Sequence, residues 1–125
     1  MTINSFIEEL SKIGIEINET QLNQLEMYYE LLVEYNKVMN LTGITEKEEV
    51  YLKHFYDSLT LVKAIDLNKY ETLCDIGTGA GFPGLVLKIV YPKLKITLIR
   101  EKSRKFCTLK TVIGQHPQYY YLKKI

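Results

Sequence analysis

Apolar residues recur at helical spacing along the first two-thirds of the chain. Ile3, Phe6, Ile7, Leu10 and Ile13 mark a first amphipathic helix, with Gly14 as its stop. Asn18-Glu19-Thr20-Gln21 has the form of a capping box, in which Asn18 caps and Gln21 reaches back. Behind it Leu22, Leu25, Tyr28, Tyr29, Leu32, Tyr35 and Met39 form one apolar and aromatic stripe. This predicts a long helix that ends in the turn-like Asn40-Leu41-Thr42-Gly43. Thr45-x-x-Glu48 predicts a second capping box, opening a helix through Val50 and Leu52. His54, Phe55, Leu59, Val62 and Ile65 carry the helical spacing on to about Asp66, and Leu67-Asn68-Lys69 reads as a connector.

After residue 70 the period changes. Residues 72–76 predict a strand, 83–91 a helix and 95–99 a second strand. Pro83 suits the first turn of the helix, where its missing N–H costs nothing, and Pro92 ends it. Strand, helix and strand at this spacing make one βαβ unit, whose right-handed crossover sets the two strands parallel. Beyond Arg100 the pattern allows a basic helix to about Ile113, ended by Gly114 and Pro117, and residues 119–125 have strand propensity. The chain thus divides into a helical subdomain, residues 1–66, and the first part of an α/β domain, residues 70–125. One βαβ unit cannot bury both faces of a parallel sheet, so the chain reads as the front part of a larger domain.

The chemistry concentrates between the first strand and its helix, in Asp75-Ile76-Gly77-Thr78-Gly79-Ala80-Gly81-Phe82-Pro83-Gly84. A strand running into a glycine-packed turn lets backbone approach a ligand closely, as nucleotide-containing cofactors require. Two readings of the glycines stand side by side. Gly77-x-Gly79-x-Gly81 with Asp75 ahead of it is a pattern common in methyltransferases that bind S-adenosylmethionine. Gly79-x-Gly81-x-x-Gly84 equally satisfies the dinucleotide pattern of nicotinamide- or flavin-binding oxidoreductases, with Glu101 as the candidate ribose acid. A third reading leaves the glycines only to shape a tight turn. A pyrophosphate asks for free N–H groups at a helix start, whereas a sulfonium and an ammonium favour a carboxylate such as Asp75. The dinucleotide motif also normally lies near a domain's start, and here some 70 helical residues precede it. Both points favour the methyl donor.

Composition adds limits. The apolar content of 46% is ordinary for a globular chain and argues against disorder. The net charge is +1, but it is unevenly spread. Residues 100–125 carry seven basic side chains against Glu101 alone, while residues 1–99 carry nine basic and fourteen acidic ones. A basic end on an acidic body suits a nucleic-acid surface or, equally, a solvated helix face with a tail. Cys74 and Cys107 lack ligand spacing, so no metal site and no disulfide are expected. No signal peptide and no apolar run of roughly 20 residues is present, which makes the cytoplasm the default location and a membrane an improbable partner.

Three motifs then converge in order. Asn36-Lys37-Val38-Met39-Asn40-Leu41-Thr42-Gly43-Ile44, His54-x-x-Asp57-Ser58-Leu59 and the stretch from Asp75 to Gly84 together resemble the bacterial 16S ribosomal RNA guanine-N7 methyltransferases, also called glucose-inhibited division protein B. The resemblance spans residues 1–99. It implies an α/β, Rossmann-like class I S-adenosylmethionine-dependent methyltransferase fold with an N-terminal helical cap, truncated after its first βαβ unit. It also implies 16S rRNA or the small ribosomal subunit as partner, and a monomer. Two departures stand against the family pattern. Arg100-Glu101 replaces the expected acid after the second strand, and an arginine cannot accept hydrogen bonds from ribose hydroxyls. The chain is also short for the family. It is therefore expected to be inactive alone, and the charge change at residue 100 reads as an altered reading frame. A residual, non-catalytic RNA-associating domain is the remaining alternative.

Carried over residue by residue, the resemblance assigns Asp75, Gly77, Thr78, Gly79, Gly81 and Phe82 to the cofactor, with Glu101 as the displaced ribose acid. It places Asn40, His54, Asp57 and Ser58 near the site as substrate-side or scaffold residues. No catalytic residue is expected. Guanine N7 attacks through a lone pair and has no proton to lose, so alignment rather than a general base is required. Phe82 is read as filling the core beneath the loop. Asn40 and Thr42 are read as turn residues, and the tyrosines at 28, 29 and 35 as core packing.

Overall fold

In the helical part the chain folds from its caps inward. The structure, a computed structural model, describes residues 1–40, 42–76, 82–99, 111–112 and 119–124. Helix α1 (Ile3–Lys12) starts where the Thr2 side chain accepts the Ser5 N–H, and buries Phe6 and Leu10. It closes at Gly14, whose φ of +86° is the left-handed turn that glycine adopts without strain. Helix α2 (Glu19–Met39) opens with the predicted capping box and ends on Asn40 in the left-handed conformation. Gln21 has two tasks there. Its Oε1 accepts the Asn18 N–H at 2.9 Å, while its Nε2 donates to the carbonyls of Ile89 and Val90 at 3.3 and 3.1 Å.

Helix α3 (Lys47–Val50) is capped by Glu46, one residue on from the predicted Thr45. The carboxylate explains the shift, because its two oxygens take both the Glu48 and Glu49 N–H groups. A π-helical turn (Tyr51–Tyr56) follows, then α4 (Asp57–Leu59) and a 3₁₀ turn (Thr60–Lys63). The apolar pattern marked this stretch as helical, but it cannot tell an i→i+5 turn from an i→i+4 one. Such π-turns are rare and cluster at functional sites.

Strand β1 (Tyr70–Ile76) pairs in parallel with β2 (Lys95–Ile99), from Thr72 opposite Lys95 to Ile76 opposite Ile99. Helix α5 (Gly84–Val90) makes the crossover, so the predicted βαβ unit is present. The Thr111–Val112 pair departs from the helix expected there: it is strand β3, antiparallel to β4 (Tyr119–Lys124). Pairing with a neighbouring strand has overridden the local helical spacing. β4 lies antiparallel to β1, with Leu73 opposite Leu122 and Asp75 opposite Tyr120, giving the sheet order β2-β1-β4-β3.

Helix α5 touches β1, β2, α2 and α4, and so lies between the sheet and the helical layer. One apolar cluster runs through Phe6, Leu25, Tyr51, Phe55, Leu73, Val86 and Leu94, joining both parts of the chain. The opposite sheet face carries exposed Lys95 and Thr97. The stripe on α2 is only partly core: Leu25 and Leu32 are buried, but Tyr35 is 54% exposed. Among the described residues no helix is long and apolar enough to cross a membrane.

The double role of Gln21 makes a specific prediction. Gln21→Glu keeps the capping acceptor but sets a carboxylate against two carbonyl oxygens, and should cost about 1–3 kcal/mol of unfolding free energy. Urea unfolding checks it, and an unchanged midpoint would show that the link from α2 to α5 carries no stability.

Candidate functional site

Asp75 is the penultimate residue of β1 and is fully buried. Its Oδ2 accepts the Gly84 N–H at 2.9 Å, so one hydrogen bond joins the segment before the glycine loop to the segment after it. Gly84 has no room for a side chain. A Cβ there would collide with Leu98 Cδ2 and lie 2.9 Å from Asp75 Oδ2. The glycine thus lets the start of α5 lie directly on β1 and β2, the packing role given to the third glycine of the dinucleotide pattern. Gly77, Thr78, Gly79 and Gly81, and also Glu101, lie outside the described residues.

Phe82 emerges from the loop, ahead of a cis bond to Pro83. Its ring is stacked on His54 with centroids 4.3 Å apart and planes 8° apart, and on Tyr28 at 5.4 Å and 15°. It also meets Phe55 at 6.1 Å. From Phe55 the ring contacts continue to Tyr51 at 4.9 Å and from Tyr51 to Phe6 at 5.0 Å. The residue read as core filling is therefore packed on the helical cap, and one of its neighbours, His54, belongs to the predicted site.

His54 hydrogen-bonds Thr42 Oγ1 through Nε2 at 2.9 Å. That hydroxyl also accepts the Ile44 N–H at 3.1 Å, and the Thr42 N–H donates to Asn36 Oδ1 at 2.7 Å. Burial pushes the imidazole below its ordinary pKa, against the opposing pull of the nearby Asp57 charge. A neutral ring allows Nε2 to accept the Thr42 hydroxyl proton while that oxygen accepts from Ile44. Ser58 is buried and its hydroxyl donates to the His54 carbonyl, whereas Asp57 is exposed. Asn40 forms the α2 terminus, its N–H donating to the Asn36 carbonyl. Asn40, Thr42 and Ser58 thus bond local backbone, as turn and scaffold residues do.

Tyr28 is the neighbour of Phe82 that sequence reasoning left in the core. Burial first, and then the Asp75 charge, raise its phenol pKa well above the usual range. It therefore lies near the carboxylate before the loop as well as the ring after it. Helical spacing carries no signal for such a contact, since it identifies a face and not what the face meets. A groove of about 710 Å³ opens elsewhere, beside Ile15, Leu67, Tyr70 and Tyr91. It sits at the opposite end of β1 from Asp75 and contains none of the motif residues. Among the described residues no cluster of three or more His, Cys, Asp or Glu is placed to hold a metal ion.

Comparison with known proteins places the chain in a family. The family model described as rRNA small subunit methyltransferase G (GidB) matches residues 21–118. The chain belongs to this family. It is similar to the ribosomal RNA small subunit methyltransferase G of Bacillus velezensis, with 50% identity over 112 residues, which cover 90% of this chain and 47% of that protein. With the protein of the same name from an Exiguobacterium species the identity is 52% over 109 residues, covering 87% and 46%. With that of Bacillus subtilis it is 48% over 109 residues, again covering 87% and 46%. The chain spans about half the length of these curated relatives. The GidB match also runs past Arg100 to residue 118, so family similarity does not stop at the charge change, where the sequence motifs had placed its end.

The buried, neutral-favouring setting of His54 gives a pH prediction. Its folded pKa lies below the unfolded value, so its contribution to stability is present above about pH 6.5 and is lost as pH falls from there toward the folded pKa. Thermal melts between pH 7.5 and 5.5 should show a decline that His54→Gln flattens. An equal decline in the variant would assign the effect to other groups.

Proposed function

We propose that this chain binds S-adenosylmethionine at its 75–84 segment, within a Rossmann-like class I methyltransferase fold with an N-terminal helical cap. In this reading it serves methylation of a guanine N7 in 16S rRNA, free or within the small ribosomal subunit, in the cytoplasm. The observation that carries the proposal is the family match, which spans the loop and both its flanks. The flanks suit such a ligand. A carboxylate lies at the carboxyl end of a parallel strand, where open α/β sheets bind ligands, and Gly84 lets α5 start directly against the sheet.

Asp75, Gly77, Thr78, Gly79, Gly81 and Phe82 are the residues that would hold the donor, with Glu101 as the candidate acid for its ribose. When bound, the donor supplies a methyl group on a cationic sulfur. Asp75 contributes negative charge at the strand end before the glycines, and a carboxylate can keep a backbone N–H while attracting a cation. The chain needs no general base, because N7 has no proton to lose. What it must supply is a fixed approach of the nucleophile to the methyl carbon, which is catalysis by orientation. The neutral His54, engaged with Thr42 and stacked on Phe82, suits a scaffold and not a proton acceptor. The seven basic side chains of residues 100–125 suit contacts with RNA phosphates.

One observation favours a second reading. Gly84 packs as the third glycine of a dinucleotide site does, so a nicotinamide cofactor fits the described flanks equally well. Titration calorimetry of the chain separates the two. Saturable binding of S-adenosylmethionine with no heat from NAD is expected, and NAD binding without methyl-donor binding would overturn the proposal.

A further inference from the structure

The two described flanks of the glycine segment, Asp75 and Phe82, face the same small group of side chains. Before the loop, Asp75 lies within electrostatic reach of Tyr28 and accepts the Gly84 N–H. After it, Phe82 stacks on His54 and Tyr28. Tyr28 comes from α2 and His54 from the π-turn, so two separate elements of the helical cap converge on one ring. The approach is tight: the His54 and Phe82 planes are 8° apart at 4.3 Å. His54 is itself oriented by Thr42, whose backbone is tied to Asn36 of α2.

We infer that Tyr28 and His54 are positioning residues for the Phe82–Gly84 flank of the candidate cofactor segment, acting through Phe82: the helical cap is a clamp on the backbone that follows the glycines. The inference rests on the methyl-donor reading for its consequence, but not for its mechanical content. A loop rich in glycine has many accessible backbone states, and binding must select one of them. A ring packed between two cap elements fixes the backbone that follows the glycines, so donor affinity should depend on side chains that need not touch the donor. Orientation sensitivity of this kind is expected where the chemistry is alignment alone.

Two arms test the clamp, on the whole chain. The first is amide hydrogen exchange without ligand, read at Gly84 and, as a reference for global opening, at Phe6 and Leu10. Tyr28→Leu and His54→Leu should each speed exchange at Gly84 at least tenfold while changing Phe6 and Leu10 less than threefold. Tyr28→Phe keeps the ring and should stay within threefold of the native chain at all three. Equal acceleration at all three amides in both leucine variants would overturn the inference, because the rings would then belong to the global core; no acceleration at Gly84 would overturn it too. If Tyr28→Leu alone fails to fold, His54→Leu decides the matter. The second arm is S-adenosylmethionine affinity by calorimetry, expected to weaken at least tenfold in the leucine variants and to be recovered by Tyr28→Phe. If the native chain binds no donor, the proposed function falls while the exchange arm still decides the clamp. If it binds and the leucine variants bind equally well, the clamp falls and the function stands.

Discussion

The contact on which the rest of this structure depends is the stack of Phe82 on His54 and Tyr28. It is the meeting point of two kinds of structure, a helical layer built from local caps and a sheet built from long-range pairing. Near-parallel and edge-on aromatic pairs contribute about 0.5–1.5 kcal/mol each beyond the area they bury. Here they form a connected series from Phe6 in α1 through Tyr51 and Phe55 to Phe82. Against a domain stability of about 5–15 kcal/mol, a few such pairs are a substantial share.

The hydrogen bonds around the stack follow from it. A half-buried histidine costs least when neutral and satisfied, and Thr42 satisfies it. A buried carboxylate at the end of β1 must be bonded, and Gly84 bonds it because nothing larger than glycine fits there. Gln21 supplies donors to the carbonyls that end α5, groups that a helix leaves without intrahelical partners. Each of these is a polar group near the junction of the layers, and each finds its partner on another element or across the loop.

Much of this was legible in the sequence, for identifiable reasons. The capping box at Asn18 and Gln21, the stop at Gly14 and the second strand at Lys95–Ile99 are local signals, and the structure shows them where the pattern puts them. The Thr45 cap missed by one residue because Glu46 offers two oxygens in place of one hydroxyl. Thr111–Val112 was misread because strand pairing with β4 is a long-range event that no local period reports, while residues 100–110 of the expected basic helix lie outside the described residues. In the candidate site, Asp75 and the flanking glycine stood out because their chemistry and spacing are unusual. Tyr28 did not, since a tyrosine among leucines at helical spacing looks like any core residue. Its significance comes from Phe82, which lies far along the chain. Phe82 was assigned to the core by its apolar character, and the structure adds that this part of the core is the cap itself.

The account's central claim is that the cap and the loop are energetically coupled through Phe82. A double-mutant cycle in urea unfolding, using His54→Leu, Phe82→Leu and the pair, measures that coupling directly. The account predicts an interaction free energy of about 0.5–1.5 kcal/mol, the worth of a stacked ring pair. Costs that add to within a few tenths of a kcal/mol would contradict it, because the two rings would then be neighbours without being partners.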